Sequence, residues 1–370
     1  MNITANSYEL AKALNISTKA LPAKTTNQIL EGVLIEAADD HVSMTCTDER
    51  MTIVTKVKAT VKEPGIGVIP GKLFNEVVKN LSGYDINVKM SAKNIFTVRG
   101  ANSRTNISGQ DADLYPSLPD VKADHKISLP QPVLKDMISK TEFAVALEDM
   151  RETLTGAYLE ITQNEINMVC LDGYRMAVRR MQASSTALDN CSAIVPGKVF
   201  SNVAKLLSDN EDDFAYISIG NGKLHIQFGD TDVYTVLING DYVKYKALIP
   251  KDFTTRLEVD VEQFRKAIDR ASLIARQGQN NLLVFRIANG EMSIESRSEI
   301  GDVHETMEVI QTGNDLNIAF NVKYLIDVVK NIGSETMNIC MNSSATPVII
   351  TPVGDGDYIH LVLPVRTANV

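Results

Sequence analysis

Two lysines seven residues apart, Lys72 and Lys79, lie in the run IPGKLFNEVVKNL that begins at Ile69. The spacing returns at Lys198 and Lys205 in VPGKVFSNVAKLL, which begins 126 residues later, and at Lys323 and Lys330 in VKYLIDVVKNI. Seven residues make two helical turns, so each pair falls on one face. In the first copy Leu73, Phe74, Val77, Val78 and Leu81 form the opposite, apolar stripe. The first helical pattern of each copy adds Lys12 and Lys19, Lys135 and Lys140, and Arg265, Lys266 and Arg270. Ammonium groups repeated on equivalent faces suit a repetitive polyanion such as duplex DNA, and lysine–phosphate contacts would bind it without reading its sequence. An ordinary solvated face also carries lysine, but it tolerates glutamate equally and gives no reason for one pair to recur three times.

Residues for covalent or metal chemistry are not assembled. The chain has no GxxxxGK(S/T) phosphate loop, no GxGxxG and no GxSxG elbow. His41, His125, His225, His304 and His360 lack ligand spacing, and Cys46, Cys170, Cys191 and Cys340 form no CxxC. Asp355 and Asp357 in GDGD read as turn residues, His304 beside Glu305 as a surface pair, and NEDDF at Asn210 as a solvated loop without calcium-loop spacing. No catalytic residue, metal or cofactor is expected, and a binding role takes precedence over an enzymatic one.

The lysine helices belong to a larger repeat. LEGVLIE at Leu30 matches LTGAYLE at Leu154, and VSMTCTDERM at Val42 matches INMVCLDGYRM at Ile166, each 124 residues on. Three copies of roughly 123 residues account for the 370, the length of a domain rather than of a solenoid repeat. Each opens with a helical pattern: SYELAKALNISTKAL, PVLKDMISKTEFAV and EQFRKAIDRASLIA. Alternating runs such as HVSMTCTD and DINVKMSA predict half-buried strands, and YISIGNGKLHIQFG predicts a hairpin turning at Gly220, Asn221 and Gly222. The expected fold is α+β: three tandem domains, each of two helices plus antiparallel sheets. Pro-marked connectors at 115–130 and 241–255 place the domains at 1–125, 126–251 and 252–370.

Hydrophobic residues make up 44% of the chain and charged residues 22%, enough for more than one core and unlike a disordered, collagen-like or coiled-coil chain. The net charge of −9 argues against nucleic acid held over the whole surface. A basic face must then be offset by an acidic surplus elsewhere. Scattered cysteines suit a reducing compartment, MNITANSYELAKAL lacks the regions of a signal peptide, and no apolar run nears a membrane span. A cytoplasmic protein with no membrane partner is expected.

LTGAYLE, LDGYRMA from Leu171, YPSLP from Tyr115, IVPGKVF from Ile194, AFNVKYLIDVV from Ala319 and LVLPVR ending at Arg366 together resemble the bacterial DNA polymerase III β subunit, the sliding-clamp family, over the whole chain. The resemblance implies three DNA-clamp domains per chain and a head-to-tail homodimer. Its pseudo-sixfold ring would surround double-stranded DNA and tether the replicative polymerase through topology. The DNA-facing residues it implies are Lys24, Lys72, Lys79, Lys135, Lys140, Lys198, Lys205, Arg265, Lys266, Arg270, Lys323 and Lys330, with Leu273 and Ile274 in the dimer interface. It also implies a pocket between the second and third domains for largely apolar linear motifs. Their sources would be the replicative polymerase, the clamp loader, translesion polymerases, and mismatch-repair and ligase proteins. Matching residues are Leu154, Gly173, Arg175, Met176, Val362, Pro364 and Arg366, neighbouring Leu248, Leu361, Leu363 and Val365 keep the pocket apolar, and Leu171, Tyr174 and Val243 complete it. Leu171, Tyr174 and Val243 depart from the family's usual residues and imply a more apolar wall, and TANV follows Arg366. A protein-interaction scaffold without DNA is the alternative, but it leaves the three basic helices unexplained.

Overall fold

Period-two alternation of buried and exposed residues runs through the strands, which among the described residues pair into four antiparallel sheets. The computed structural model describes residues 1–81, 83–148, 151–182 and 190–367; the final residues of the TANV tail lie outside them. Among the described residues six α-helices punctuate the strands: α1 (Ser7–Ser17), α2 (Gly71–Asn80), α3 (Gln131–Ser139), α4 (Gly197–Ala204), α5 (Val261–Ala275) and α6 (Val322–Asn331). The chain divides into two compact units, Met1–Lys135 with Asn202–Leu237, and Asp136–Ser201 with Ile238–Val370.

The first unit contains a five-stranded sheet in the order Thr60–Glu63, Asn2–Asn6, Asp85–Met90, Ile95–Gly100, Ser103–Ser108. Its second sheet has eight strands: His125–Pro130, Phe214–Gly220, Lys223–Phe228, Thr231–Val236, Met51–Lys58, His41–Thr47, Gly32–Ala38 and Gly65–Pro70. Strands of the first and second repeats meet at its centre, with Thr231 opposite Thr55 and Thr235 opposite Met51. The expected hairpin turns at Asn221 (φ 44°) and Gly222 (φ 71°), a left-handed pair that matches strand twist. Helices α1 and α2 pack together. Phe74 and Val78 of α2 are buried, but Leu73, expected in the apolar stripe, is 48% exposed beside Lys72. On this short helix the stripe that reaches the core is narrower than the sequence suggested.

The second unit contains a nine-stranded sheet: Cys191–Pro196, Gly156–Ile161, Glu165–Leu171, Arg175–Gln182, Tyr358–Val362, Val348–Pro352, Thr336–Met341, Thr255–Asp260 and Ile310–Gly313. Its four-stranded sheet runs Gly301–Glu308, Glu291–Ser298, Leu282–Ala288, Leu316–Asn321. The second and third repeats join with Tyr358 opposite Arg179 and Val362 opposite Arg175. Thr55 and Arg179 are equivalent in the repeat, as are Met51 and Arg175, so both junctions share one register. The connectors repeat as well. The Tyr115 hydroxyl donates to the Thr45 carbonyl at 3.1 Å, and the Tyr242 hydroxyl donates to the equivalent Val169 carbonyl at 3.3 Å.

His360 lies on the junction strand Tyr358–Val362, fully buried beside the Phe143 and Tyr358 rings, and neither of its nitrogens has a hydrogen-bond partner. Burial, helped by Lys140, pulls its pKa down to about 3. The folded chain therefore keeps it neutral while the unfolded chain protonates it, so stability falls as pH drops below the ordinary value near 6.5. The loss between pH 6.5 and 5.5 is about 1 kcal/mol. Urea titrations at pH 7.5 and 5.5 should show a smaller acid-induced loss for His360→Phe than for the wild type; equal losses would contradict this account.

Candidate nucleic-acid face and peptide pocket

Lys72, Lys79, Lys198, Lys205, Lys323 and Lys330 are all exposed, while Phe74, Val78, Val199, Phe200, Val203, Leu325, Val328 and Val329 turn inward from the same helices or their ends. The seven-residue spacing thus does put each lysine pair on a solvent face. Lys24 is exposed in the segment after α1. The remaining cations differ. Lys135 bonds Asp209 at 2.6 Å, and Lys140 bonds Asp136 at 3.0 Å. Arg265 and Lys266 share Glu262, and Arg270 binds Glu305. Hydrogen bonds from Arg265 and Lys266 hold the exposed Glu262 carboxyl down to about 2. The Arg270 bond lowers Glu305 as well.

The second constellation forms around the turn between Glu165–Leu171 and Arg175–Gln182. The Asp172 carboxylate accepts from the Tyr174 and Arg175 backbone N–H groups, both at 3.0 Å, and Gly173 takes φ 87°, a conformation glycine adopts without strain. This presents Tyr174, 61% exposed, at the rim, where its ring stacks on Tyr324 of α6. Arg175 itself is buried. Its guanidinium donates to Asp172, Asp327 and the Phe143 carbonyl and lies over the Tyr324 and Phe143 rings. The chain then crosses the rim: the Leu363 N–H donates to the Tyr174 carbonyl at 2.8 Å and the Val365 N–H to the Ala319 carbonyl at 2.8 Å. Leu248 is exposed, and Val243, Leu363, Pro364 and Val365 are half-buried. Beneath them Leu154, Leu171, Met176 and Leu361 belong to one buried cluster. An apolar surface with few polar groups over a preformed floor is suited to anchoring short peptides.

Family models for the DNA polymerase III β subunit match in succession: the N-terminal domain over residues 1–119, the central domain over 128–244 and the C-terminal domain over 246–366. The chain belongs to the DNA polymerase III β-subunit family. The β sliding clamp of Staphylococcus aureus is 34% identical over 364 residues, 96% of each chain. The crystal structure of the Bacillus subtilis DNA polymerase sliding clamp superposes at TM-score 0.94 with 31% identity, covering 99% of each chain. A Pseudomonas aeruginosa sliding clamp bound to griselimycin has TM-score 0.94 at 25% identity, covering 99% of this chain and 100% of that one. The function is that of a DNA sliding clamp, a non-catalytic processivity factor of DNA replication with the three-domain clamp fold.

Within that clamp fold, the structure sorts the residues expected to act. Leu363 is tied to Tyr174 through the backbone and packs with Val243 on the buried cluster, Leu248 is exposed, Pro364 and Val365 are half-buried, and Arg366 is exposed beyond them. Leu154, Leu171, Met176 and Leu361 lie below as floor, while Val362 belongs to the core around Phe320, so the departure at Leu171 changes the core beneath the wall rather than the wall itself. Arg175 has its charge answered internally. Leu273 of α5 is 66% exposed and Ile274 half-buried. Sequence reasoning missed Asp172, Tyr324, Asp327 and Phe143. Asp327 gives no local sign of its role, because its partner Arg175 lies 152 residues away. Among the described residues no cluster of His, Cys, Asp or Glu could hold a metal, and no helix is long and apolar enough to cross a membrane.

Removing the Arg175 cation leaves the half-buried Asp172 and Asp327 carboxylates without the buried guanidinium they share. Arg175→Met should lower the free energy of unfolding by about 3 kcal/mol in a denaturant titration. A change below about 0.5 kcal/mol would show that the network holds nothing in place.

Proposed function

We propose that two copies of this chain close head to tail into a ring around double-stranded DNA. The observation that carries this is an unmatched pair of strand edges. Ser103–Ser108 is the first repeat's counterpart of Thr231–Val236 and Tyr358–Val362: each follows its hairpin in the same register, Gly100 opposite Ser103 and Phe228 opposite Thr231. Gly301–Glu308 is the third repeat's counterpart of Met51–Lys58 and Arg175–Gln182, with Glu308, Lys58 and Gln182 at equivalent ends. The other counterparts pair with each other, whereas Ser103–Ser108 and Gly301–Glu308 each stand at the edge of a sheet. Open edges invite pairing. Carrying the junction register over places Thr105 of one protomer opposite Val303 of its partner. Exposed Leu273 and Ile300 supply apolar surface beside that edge, and Arg104 on one strand complements Asp302 and Glu308 on the other.

Domain limits of 1–125, 126–251 and 252–370 fit this arrangement. The DNA-facing set is Lys24, Lys72, Lys79, Lys135, Lys140, Lys198, Lys205, Arg265, Lys266, Arg270, Lys323 and Lys330, of which Lys135, Lys140, Arg265, Lys266 and Arg270 also make ion pairs within the chain. Weak phosphate contacts without base readout let the ring slide. The rim around Tyr174 and Leu248 takes apolar linear motifs from the replicative polymerase, the clamp loader, translesion polymerases and mismatch-repair and ligase proteins. The working compartment is the cytoplasm.

With Thr105→Cys and Val303→Cys combined in one chain, oxidation should yield a covalent dimer of twice 40.6 kDa. A monomer by light scattering, or cross-linking no better than for Thr105→Cys with a cysteine far from Val303, would overturn the closure. For the pocket, Tyr174→Ala with Leu248→Ala should weaken an apolar motif peptide about tenfold, the scale of losing two partly buried contacts. Unchanged affinity would place the site elsewhere.

A further inference from the structure

The two strand junctions share one register, but they are not filled alike. At the second, the Arg179 guanidinium donates to Asp136 at 2.8 Å and to Asp355 at 2.7 Å, and it lies over the Tyr358 ring. The Tyr358 hydroxyl donates to the Lys140 carbonyl at 2.8 Å. The 124-residue offset between the first two repeats carries Asp136 to Lys12 and Arg179 to Thr55, and the shared register carries Tyr358 to Thr231. A carboxylate, a guanidinium and a phenol ring thus give way at the first junction to an exposed lysine and two buried threonines.

These shorter side chains line a cavity of about 420 Å³ between α1 and the strands Phe214–Gly220 and Thr231–Val236, a volume typical of small-ligand sites. Thr231 is 6% exposed, and its hydroxyl has no hydrogen-bond partner among the described residues. A buried polar group of this kind is normally satisfied. Glu9, Asp212, Asp213 and Asp230 also line the cavity, against the cations Lys12 and Lys56. None of these six makes an ion pair among the described residues. The lining therefore favours a cation, and Phe214 and Tyr216 offer ring faces to it or to a flat body attached to it.

We propose that this cavity binds a guanidinium group carried on an apolar or aromatic body, the chemistry that Arg179 and Tyr358 supply from within the chain at the second junction. A planar guanidinium suits it better than an ammonium, because its fork of donors can meet a carboxylate and the Thr231 hydroxyl together. Its source is either a free small molecule or an arginine side chain of a partner. The proposal does not depend on ring closure or on DNA.

Calorimetric titration of the full-length protein with phenylguanidine should show saturable binding, and its uncharged isostere phenylurea should bind about tenfold more weakly. Acetyl-tyrosyl-arginine amide forms the second arm: tighter binding than phenylguanidine marks a partner's arginine as the source, and weaker binding marks a small molecule. Asp213→Asn with Asp230→Asn should weaken phenylguanidine about tenfold. Lys12→Asp, which restores the carboxylate of the second junction, should tighten it about threefold. Thr231→Tyr should block it by filling the cavity. No saturable binding of either guanidinium probe up to about 10 mM, equal binding of phenylurea, unchanged affinity in the Asp213/Asp230 variant, or weaker binding in Lys12→Asp would each overturn the assignment.

Discussion

A strand at the edge of a sheet presents unmade backbone hydrogen bonds, and this chain is organised by how those edges are satisfied. In the first unit Met51–Lys58 is completed by Thr231–Val236; in the second, Arg175–Gln182 is completed by Tyr358–Val362 in the same register. Strands far apart in sequence thereby become neighbours, and residues at the joins acquire roles they could not have within one repeat. The rim around Tyr174 forms where the third repeat's last strand runs past the second repeat's turn. A chain of three repeats makes two such joins and leaves one matching pair of edges over, the pair that the proposed closure by a second copy would join.

Charge is then distributed by local pairing more than by composition. Arg175 meets Asp172 and Asp327, and Arg179 meets Asp136 and Asp355, so these buried or half-buried guanidiniums fasten turns and helices. Burial works against the charge of Arg179, yet the two carboxylates outweigh it and raise its pKa. Exposed pairs such as Arg265–Glu262 add little stability, but they withdraw cations from any external ligand. A chain with net charge −9 can still present cations to a polyanion, because exposed lysines recur on particular helix faces.

Much of this was legible in the sequence wherever the governing interaction is short-range. The lysine spacing, the Asn221–Gly222 turn and the helical openings depend on neighbours within about two turns, and they stand where the pattern put them. The threefold repeat also carried the family resemblance. Interactions spanning the chain were not legible. Nothing beside Asp327 announces Arg175, nothing near Arg270 announces Glu305, and the exposure of Leu73 follows from how α2 sits on its sheet. For the proposed pocket, matching residues to a family named exposed and buried positions alike, and only burial separates rim from floor.

Encirclement distinguishes a clamp from an ordinary DNA-binding protein, and it is tested most directly by topology. The protein is loaded onto a circular duplex, freed of unbound material by gel filtration, and assayed for retention before and after the circle is cut once. A closed ring stays on the intact circle at salt concentrations that abolish simple electrostatic binding, and it is lost from the linear product. Equal retention on circle and linear DNA, or equal loss from both as salt rises, would contradict closure around the duplex.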